Sequence, residues 1–290
     1  MKLKQRLIVA FLLAGALIPL SAEALTRINS SGSKTLLYAA KSWAAAYQQT
    51  NPDVQVEVYG GESGSAIAAL INGSIDIANT SREMREREIR LAQKRGRNPK
   101  KTLVGYDAVA LFVHKDNPIE SISIPELIEL FGEDGKFSRW TQLGVEVPNC
   151  KGQKIVFVGR QVTSGTYAYF RKNVLGTTCY KWDMHVMFDS NEVVDLVGKN
   201  PCAIGYSGLI HATNAVKSVC VSENDTKDCV NPAIDTVSDG SYPITRPLFM
   251  YTITQPQGEI KAYLDWIVSD EGQCIIRREG YAPIRATACD

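Results

Sequence analysis

Residues 155–167 read IVFVGRQVTSGTY, an apolar run followed by a glycine, an arginine and several small hydroxyl residues. The run predicts a strand, and the segment after it predicts a helix with Ser164 or a neighbour at its N-cap. The first turn of a helix carries N–H groups without internal partners and the positive end of the helix dipole. Together with the guanidinium of Arg160, this turn would form a small pocket for an anion. An ordinary N-cap beside a surface arginine fits this stretch equally well.

Two other loops have the same design. Residues 30–35 read SSGSKT and residues 60–65 read GGESGS, and each leads into a segment with helical spacing of apolar residues. These loops and 159–166 each offer hydroxyls, a glycine where the backbone must approach closely, and a helix N-terminus. A short strand at 74–78 delivers a further polar group that ends in Ser81 and Arg82. The repetition favours an anion site over an isolated N-cap.

Strand and helix patterns alternate along the chain, which predicts α/β layers with mostly parallel sheets. In such sheets, ligands lie beyond the carboxyl ends of the strands, where the Ser/Gly loops are expected. The apolar run 102–113 is too long for one ordinary strand, and 242–251 is a second run of this kind. We interpret both as crossings between two lobes. Residues 220–239 are rich in turn-forming and polar residues and predict a surface excursion.

The N-terminus has the pattern of a secretory signal peptide. Lys2, Lys4 and Arg6 precede the apolar run 7–20, and residues 22–24 read AEA, so we expect cleavage after Ala24 and export to the periplasm or beyond. The full chain has 32 basic and 31 acidic residues; without the three leader cations and Glu23, 29 and 30 remain. A nearly neutral protein has no global field for nucleic acid, so any attraction of an anion must be local.

All seven cysteines lie in the second half of the chain, and export favours disulfides. Cys220 and Cys229 flank a turn-like segment and form the first expected pair. Cys150 with Cys179, and Cys274 with Cys289, are the next pairings that we expect, which leaves Cys202 as a buried free thiol. No close Cys/His pair has the spacing of a zinc site, so we predict no metal.

The sequence offers little for catalysis. Residues 61–65, GESGS, lack the final glycine of a nucleophile elbow, and no Gly-Lys-Ser/Thr sequence follows a glycine loop. The three histidines, His114, His185 and His211, are isolated from one another. We therefore predict no enzyme activity, no catalytic residue and no cofactor, with a phosphoester hydrolase as the less favoured alternative.

Several of these motifs together resemble a known family. The stretch from Arg160 to Thr166 matches an Arg-x-x-x-Ser-Gly-Thr signature, and 203–206 (AIGY), 271–273 (EGQ) and 280–281 (GY) match further segments, as do 32–33, 60–65 and 76–81. Over its full mature length the chain resembles the phosphate-binding proteins of bacterial ABC importers, in the periplasmic binding protein superfamily. The resemblance implies a two-lobed α/β protein of Venus-flytrap form with a double hinge, whose lobes close on a phosphate-like anion.

The resemblance also implies the ligand positions. We expect them at Ser33, Lys34, Thr35, Glu62, Ser63, Ser81, Arg82, Arg160, Ser164, Gly165 and Thr166. Three of these depart from the family pattern: Lys34 where many relatives have Thr, Glu62 where Ser is frequent, and Arg82 where many phosphate binders have the Asp that accepts the ligand proton. A carboxylate acceptor rejects sulfate because two acceptors would face each other without a proton. Either Glu62 takes over that role, or it forms an ion pair with Lys34 that closes the loop.

These expectations define a complete hypothesis. Residues 1–24 form the signal peptide, residues 25–105 with 245–290 form lobe one, and residues 106–244 form lobe two. The protein would be a monomer that captures inorganic phosphate and passes it to the permease of an ABC transporter in the membrane. A phosphorylated metabolite as ligand, and a binding fold reused for adhesion or signalling, stay open as alternatives.

Overall fold

A computed structural model describes residues 25–225 and 228–289 of the protein. The predicted signal peptide lies outside these described residues. The strands are β1 (Thr26–Ser33), β2 (Val54–Gly61), β3 (Ile77–Thr80), β4 (Lys100–His114), β5 (Ser121–Ser123), β6 (Val156–Arg160), β7 (His185–Met187), β8 (Ala203–Gly208), β9 (Val216–Ser218), β10 (Cys220–Ser222) and β11 (Thr245–Thr252). The helices are α1 (Leu37–Thr50), α2 (Ser63–Asn72), α3 (Glu86–Lys94), α4 (Ile124–Phe131), α5 (Gly165–Phe170), α6 (Ser190–Lys199), α7 (Ile234–Ser238), α8 (Gly258–Ile267) and α9 (Asp270–Arg278).

The helix boundaries follow local sequence signals. Ser123 caps α4 by accepting a hydrogen bond from the Glu126 amide, and Pro125 occupies the first turn, where no internal N–H bond is lost. Gly73 ends α2 in the left-handed conformation with a φ of 81°, which a glycine adopts without steric cost. The predicted helices over these segments are therefore confirmed, although α2 begins three residues earlier than the apolar pattern indicated.

The main sheet has two parallel wings joined by antiparallel strands. Its strand order is β2-β1-β3-β11-β4-β8-β6-β7, with β9 also paired to β4. The first wing contains β1, β2 and β3, in which β1 is parallel to both neighbours. The second wing contains β6, β7 and β8, in which β6 is parallel to both neighbours. Parallel wings of this kind direct the loops that follow their strands to one edge of the sheet.

Strands β4 and β11 connect the two wings. β4 is 15 residues long; its first part, up to Ala108, pairs with β11, and Val109 to Val113 pair with β8. β11 pairs in turn with β3 of the first wing. Both apolar runs that we interpreted as crossings thus contain strands that lie between the wings.

The apolar faces of the sheet are covered by helices on each wing. Around the first wing, Trp43 and Tyr47 of α1 pack with Tyr263 and Ile267 of α8 in one cluster of buried residues. Around the second wing, α4 packs through Phe131 against Phe157 and Phe170, while Val193, Val194 and Val197 of α6 cover the opposite face. Burial of these apolar faces is the main favourable term in folding.

Two sequence expectations for local structure need correction. β3 begins at Ile77 rather than at residue 74, because Asp76 accepts a hydrogen bond from the Asn29 amide and lies before the strand. The segment 220–239 is not simply a surface excursion. It begins with β10, whose Cys220, Val221 and Ser222 are buried and pair with β5, and it contains α7.

The disulfide predictions are partly wrong. Cys220–Cys229 and Cys274–Cys289 are confirmed, but Cys150 bonds to Cys202, and Cys179 is the free, exposed cysteine. The register explains the pairing: Val156 of β6 lies beside Ala203 of β8, so the chain before β6 and the chain before β8 enter the sheet side by side. The Val156 amide indeed donates to the Cys202 carbonyl at 3.0 Å. Neighbouring strands, rather than sequence separation, set this disulfide.

Within residues 25–225 and 228–289, no helix has the length and apolar character that crossing a membrane requires.

Candidate anion-binding site

The loop after β6 begins α5 as the sequence predicted. Ser164 is the N-cap, and its Oγ accepts hydrogen bonds from the amides of Thr166 (3.2 Å) and Tyr167 (3.4 Å). Gly165 is the next residue, and it is buried against the first wing. A Cβ on Gly165 would lie 2.2 Å from Ser81 Oγ and 2.4 Å from Ser63 Oγ, far inside van der Waals contact. Only glycine allows this close approach of the two wings.

Three serine hydroxyls of the first wing meet under Gly165. Ser33 ends β1, Ser63 begins α2, and Ser81 follows β3. Ser33 Oγ donates to Ser81 Oγ at 3.0 Å, Ser63 Oγ lies 3.4 Å from Ser81 Oγ, and the Ser81 amide donates to Ser63 Oγ at 3.1 Å. All three serines are buried. The structure therefore brings together hydroxyls from all three first-wing loops.

Two threonines are held by an arginine that sequence analysis missed. Arg246 of β11 is completely buried and donates from Nη1 to Thr166 Oγ1 (2.7 Å) and from Nη2 to Thr35 Oγ1 (3.0 Å). Its Nε and Nη2 also donate to Oδ2 of Asp107 in β4, at 2.9 and 2.6 Å. Burial raises the pKa of the Asp107 carboxyl above its ordinary value, and the Arg246 guanidinium counteracts this by favouring the charged form. The sequence contains a sign of this pair: Asp107 is the sole charged residue in the apolar run 102–113, and Arg246 is the sole one in the run 242–251.

Arg160 already binds a carboxylate. Its side chain is 1% exposed, and its Nη2 lies 2.6 Å from Glu62 Oε1. Nη1 donates to Ser190 Oγ at 2.5 Å, and Nη2 also donates to the Phe188 carbonyl at 3.2 Å. Within the described residues, the buried Nε has no hydrogen-bond partner. Glu62 thus bonds one nitrogen, Nη2, of the guanidinium that the sequence assigned to an anion.

The remaining two predicted cations are each paired with a carboxylate. Lys34 Nζ lies 2.7 Å from Asp189 Oδ2 and 3.1 Å from the Phe188 carbonyl, so the alternative of a Lys34–Glu62 ion pair is wrong. Burial raises the pKa of Asp189, but the bonds from Lys34 and the Asn191 amide outweigh burial and leave the pKa below its ordinary value. Arg82 donates from Nη1 and Nη2 to the two carboxylate oxygens of Glu88, at 2.8 and 2.7 Å, so its guanidinium is bonded to a residue of α3.

We use the term cradle for the buried group formed by Ser33, Thr35, Glu62, Ser63, Ser81, Arg160, Ser164, Gly165 and Thr166. Nine of the eleven predicted positions belong to it, while Lys34 and Arg82 flank it. The wings are also joined beside it by a backbone bond from the Gly64 amide to the Thr163 carbonyl, 3.2 Å long. Chemically, the cradle brings hydroxyl and N–H donors and one guanidinium together in one buried cluster. No group of His, Cys, Asp and Glu in the described chain is arranged to hold a metal ion.

Comparison with known proteins places this geometry in a family. The model of the PBP superfamily domain matches residues 19–271. The phosphate-binding protein PstS of Bacillus subtilis is 30% identical over 265 residues, which cover 90% of this chain and 80% of that protein. The chain belongs to the PBP superfamily, in the family of PstS phosphate-binding proteins.

Other members of the family agree. PstS of Pseudomonas aeruginosa is 29% identical over 274 residues, covering 91% of this chain and 84% of that protein. The crystal structure of a phosphate ABC transporter substrate-binding protein from Clostridium perfringens, with bound phosphate, aligns with a TM-score of 0.79 at 25% identity and covers 90% of this chain and all of that one. The predicted two-lobed, mixed α/β fold of periplasmic binding proteins is confirmed, and the family is one of substrate-binding proteins.

Family membership gives the cradle a context. The loops at the carboxyl ends of β1, β3 and β6 supply Ser33, Ser81 and Arg160, at the sheet edge where α/β proteins bind ligands. In this chain, the carboxylate of the buried Glu62 lies on Arg160.

Proposed function

We propose that the protein is an exported substrate-binding protein that captures inorganic phosphate in the cradle and delivers it to an ABC-transporter permease in the membrane. The observation that carries this proposal is the convergence of seven buried hydroxyl or glycine positions and Arg160 from both wings in one cluster. Hydroxyls, backbone N–H groups and a planar guanidinium are the donors that suit a tetrahedral oxyanion.

The threonine contacts support the same ligand. Because an Arg246 N–H donates to the Oγ1 of Thr35 and of Thr166, each hydroxyl hydrogen remains free to donate elsewhere. The two threonines lie on opposite wings, so an anion that accepts from both would hold the wings together. In this proposal Ser33, Ser63, Ser81 and Ser164 add further O–H donors, and Gly165 allows the approach.

In this proposal, Glu62 makes the site selective for an anion that carries a proton. An anion bound by the Arg160 fork must lie next to Glu62, since Nη2 of that fork is 2.6 Å from Glu62 Oε1. Hydrogen phosphate can donate its O–H to this carboxylate, whereas sulfate has no proton to donate and would leave two acceptors facing each other. Glu62 thus takes the role of the Asp that many relatives have at the position of Arg82.

Burial favours a small ligand over a phosphorylated metabolite. Every member of the cradle is buried, and the Gly64–Thr163 backbone bond joins the two wings beside it. Lys34 and Arg82 are proposed to act from outside, Lys34 by joining the wings through Asp189 and Arg82 by fixing the chain after Ser81 through Glu88.

Further features follow as part of the proposal. The lobe boundaries fall at residues 105/106 and 244/245, which is supported by the change of pairing partner along β4 after Ala108. The protein acts as a monomer after removal of residues 1–24, and it has no catalytic activity; purified protein should hydrolyse no phosphate ester.

Calorimetry against phosphate, arsenate and sulfate tests the function. Wild type should bind phosphate and arsenate, and phosphate should raise the melting temperature with dose, because a ligand of the folded state stabilises it by mass action. Arg160→Ala should abolish this response, whereas Arg278→Ala, which removes an exposed arginine from the end of α9, should retain it. A melting temperature that stays constant across the phosphate series would refute the proposal.

A further inference from the structure

A cavity rich in cations lies beside the cradle, between the two wings. It has a volume of about 1110 Å³, and no member of the cradle lines it. One wall is formed by the segment that leads into α3, and the other by α5 with the π-helical turn Arg171–Leu175 that follows it. We call this cavity the basic groove. Because its walls belong to different wings, a ligand in it would contact both.

The basic groove has an excess of cations. Arg82, Arg85 and Arg87 line the first wall, and Arg171 and Lys172 line the second. Against these five cations, the lining contains two acidic residues, both of which are paired outside this set: Glu83 with Lys101 and Glu86 with Arg90. The lining thus has three more cations than acidic residues, and within the described chain Arg82 is the one of these cations that is paired, with Glu88; the protein as a whole is nearly neutral.

Four of these five cations form no ion pair within the described residues, whereas Arg82 pairs with Glu88. Among the described residues, Arg85, Arg87 and Lys172 form no ion pair, and the one side-chain bond of Arg171 is to Cys179 Sγ at 3.6 Å. Burial lowers the pKa of Arg85, and the positive charges of Arg82, Arg87 and Arg171 lower it further, while the Glu88 carboxylate offsets part of this effect. The cations of the two walls are therefore close enough to repel one another. Such repulsion is relieved when an anion of high charge density lies between them.

The first wall also contains an unsatisfied buried donor. Arg82 is 6% exposed, and its Nη1 and Nη2 are bonded to Glu88 and the Glu83 carbonyl. Its Nε–H is buried and has no partner within the described chain. An unpaired buried donor is costly, so an acceptor in the groove would be stabilising.

We propose that the basic groove binds a linear polyphosphate chain, with phosphoryl groups bridging the arginines of the first wall and Arg171 and Lys172 of the second. Guanidinium forks match phosphoryl oxygens bidentately, and several phosphoryl groups in a row supply the charge that a single phosphate lacks. Tyr167 offers an apolar surface beside the chain. This site is separate from the cradle and does not depend on phosphate binding there.

The test is calorimetric titration of the full-length mature protein with tripolyphosphate in buffer that already holds enough inorganic phosphate to saturate the cradle. Wild type should bind tripolyphosphate more tightly than pyrophosphate at the same ionic strength. Arg85→Ala and Arg171→Ala should each weaken binding by about tenfold or more, the loss expected for one charge-assisted bond. Arg278→Ala is the matched control and should bind as wild type does. Added salt should weaken binding steeply, since several cations are neutralised.

Other arms separate the sources of the signal. Ser164→Ala, a cradle variant, should bind tripolyphosphate normally while its phosphate affinity falls; loss of both would assign the polyphosphate to the cradle and overturn the proposal. ATP that binds as tightly as tripolyphosphate, or more tightly, supports a site for the phosphate chain. Equal binding of a poly-aspartate peptide would overturn the polyphosphate assignment, and so would tripolyphosphate binding that both groove variants retain. Absence of phosphate binding in the cradle with normal groove binding would refute only the proposed function.

Discussion

Replacing Glu62 by glutamine should alter which anion the protein binds. The wild-type carboxylate lies 2.6 Å from Arg160 Nη2 and 3.2 Å from Gln161 Nε2, so a ligand on the Arg160 fork must contact it. Sulfate would face this carboxylate without a proton between the two acceptors. Glutamine keeps the shape and can turn its amide to donate to sulfate, while its oxygen can still accept the proton of hydrogen phosphate. Selection against sulfate should therefore decrease.

The size of the effect follows from the cost of an unpaired acceptor. Leaving a buried polar group without its partner costs about 1–3 kcal/mol. We therefore expect Glu62→Gln to reduce the ratio of phosphate to sulfate affinity by roughly 5- to 150-fold. Because the substitution also breaks a buried ion pair, the unliganded variant should lose about 3 kcal/mol of stability. Both quantities are measurable, the first by calorimetry with each anion and the second by urea unfolding.

Glu88→Gln provides the matched control. Glu88 also pairs with a buried arginine, Arg82, at similar distances of 2.7 and 2.8 Å, but it is partly exposed and lies outside the cradle. That variant should lose stability and keep the phosphate-to-sulfate ratio of the wild type. If Glu62→Gln also keeps the ratio, Glu62 does not contact the ligand and the reasoning about its proton is refuted.

Three further results are expected. Gly165→Ala should reduce phosphate affinity, measured by calorimetry, by about tenfold or more. The added Cβ would lie within 2.4 Å of two serine hydroxyls, and we expect this overpacking to cost at least ~1.4 kcal/mol of binding free energy. Gly61→Ala is the control and should be tolerated, because the nearest atom to its Cβ would be 3.8 Å away. Arg246→Met should lower the free energy of unfolding, measured in urea, by about 3–5 kcal/mol, because it leaves the buried Asp107 unpaired. If the double variant that also carries Asp107→Asn loses less stability, the effect is due to the unpaired charge of Asp107. Burial lowers the pKa of His211 to about 4, so the unfolded chain takes up the proton first as the pH falls. The free energy of unfolding should therefore decrease by about 3 kcal/mol between about pH 6.5 and pH 4. Replacing His211 by asparagine should flatten the pH dependence of urea unfolding in this window.

The overall fold was predictable because its signals are local. Alternating strand and helix patterns, the Ser/Gly loops and the 160–166 motif each depend on a short segment, and in parallel sheets such loops converge on one edge. That convergence is a property of topology, and the resemblance to a known family assigned eleven positions to one site, nine of which lie together in the cradle. The close approach of Gly165 to Ser63 and Ser81 follows the same logic.

Pairing between distant residues was not predictable in the same way. Arg160 pairs with Glu62, and Lys34 pairs with Asp189, because the strand order brings their loops together. The spacing of residues in the sequence does not predict that strand order. The Cys150–Cys202 disulfide depends on the register of β6 beside β8 in the same manner. Arg246 was overlooked because a lone cation in an apolar run was treated as part of a crossing strand. Its partner in the neighbouring run would have been the informative sign.

The charges of the cradle balance, and this balance constrains how the protein can select an anion. Each cation that surrounds the hydroxyls has one carboxylate partner: Arg160 with Glu62, Arg246 with Asp107 and Lys34 with Asp189. A site without net charge gains little from attracting a dianion at a distance, so its affinity must come from directed O–H and N–H bonds made at short range. Directed hydrogen bonds distinguish anions that differ in the number and position of their protons, whereas a net positive charge does not. The basic groove has the opposite character, because unpaired cations attract any dense negative charge. The protein thus separates, in two neighbouring sites, recognition by hydrogen-bond geometry from recognition by charge.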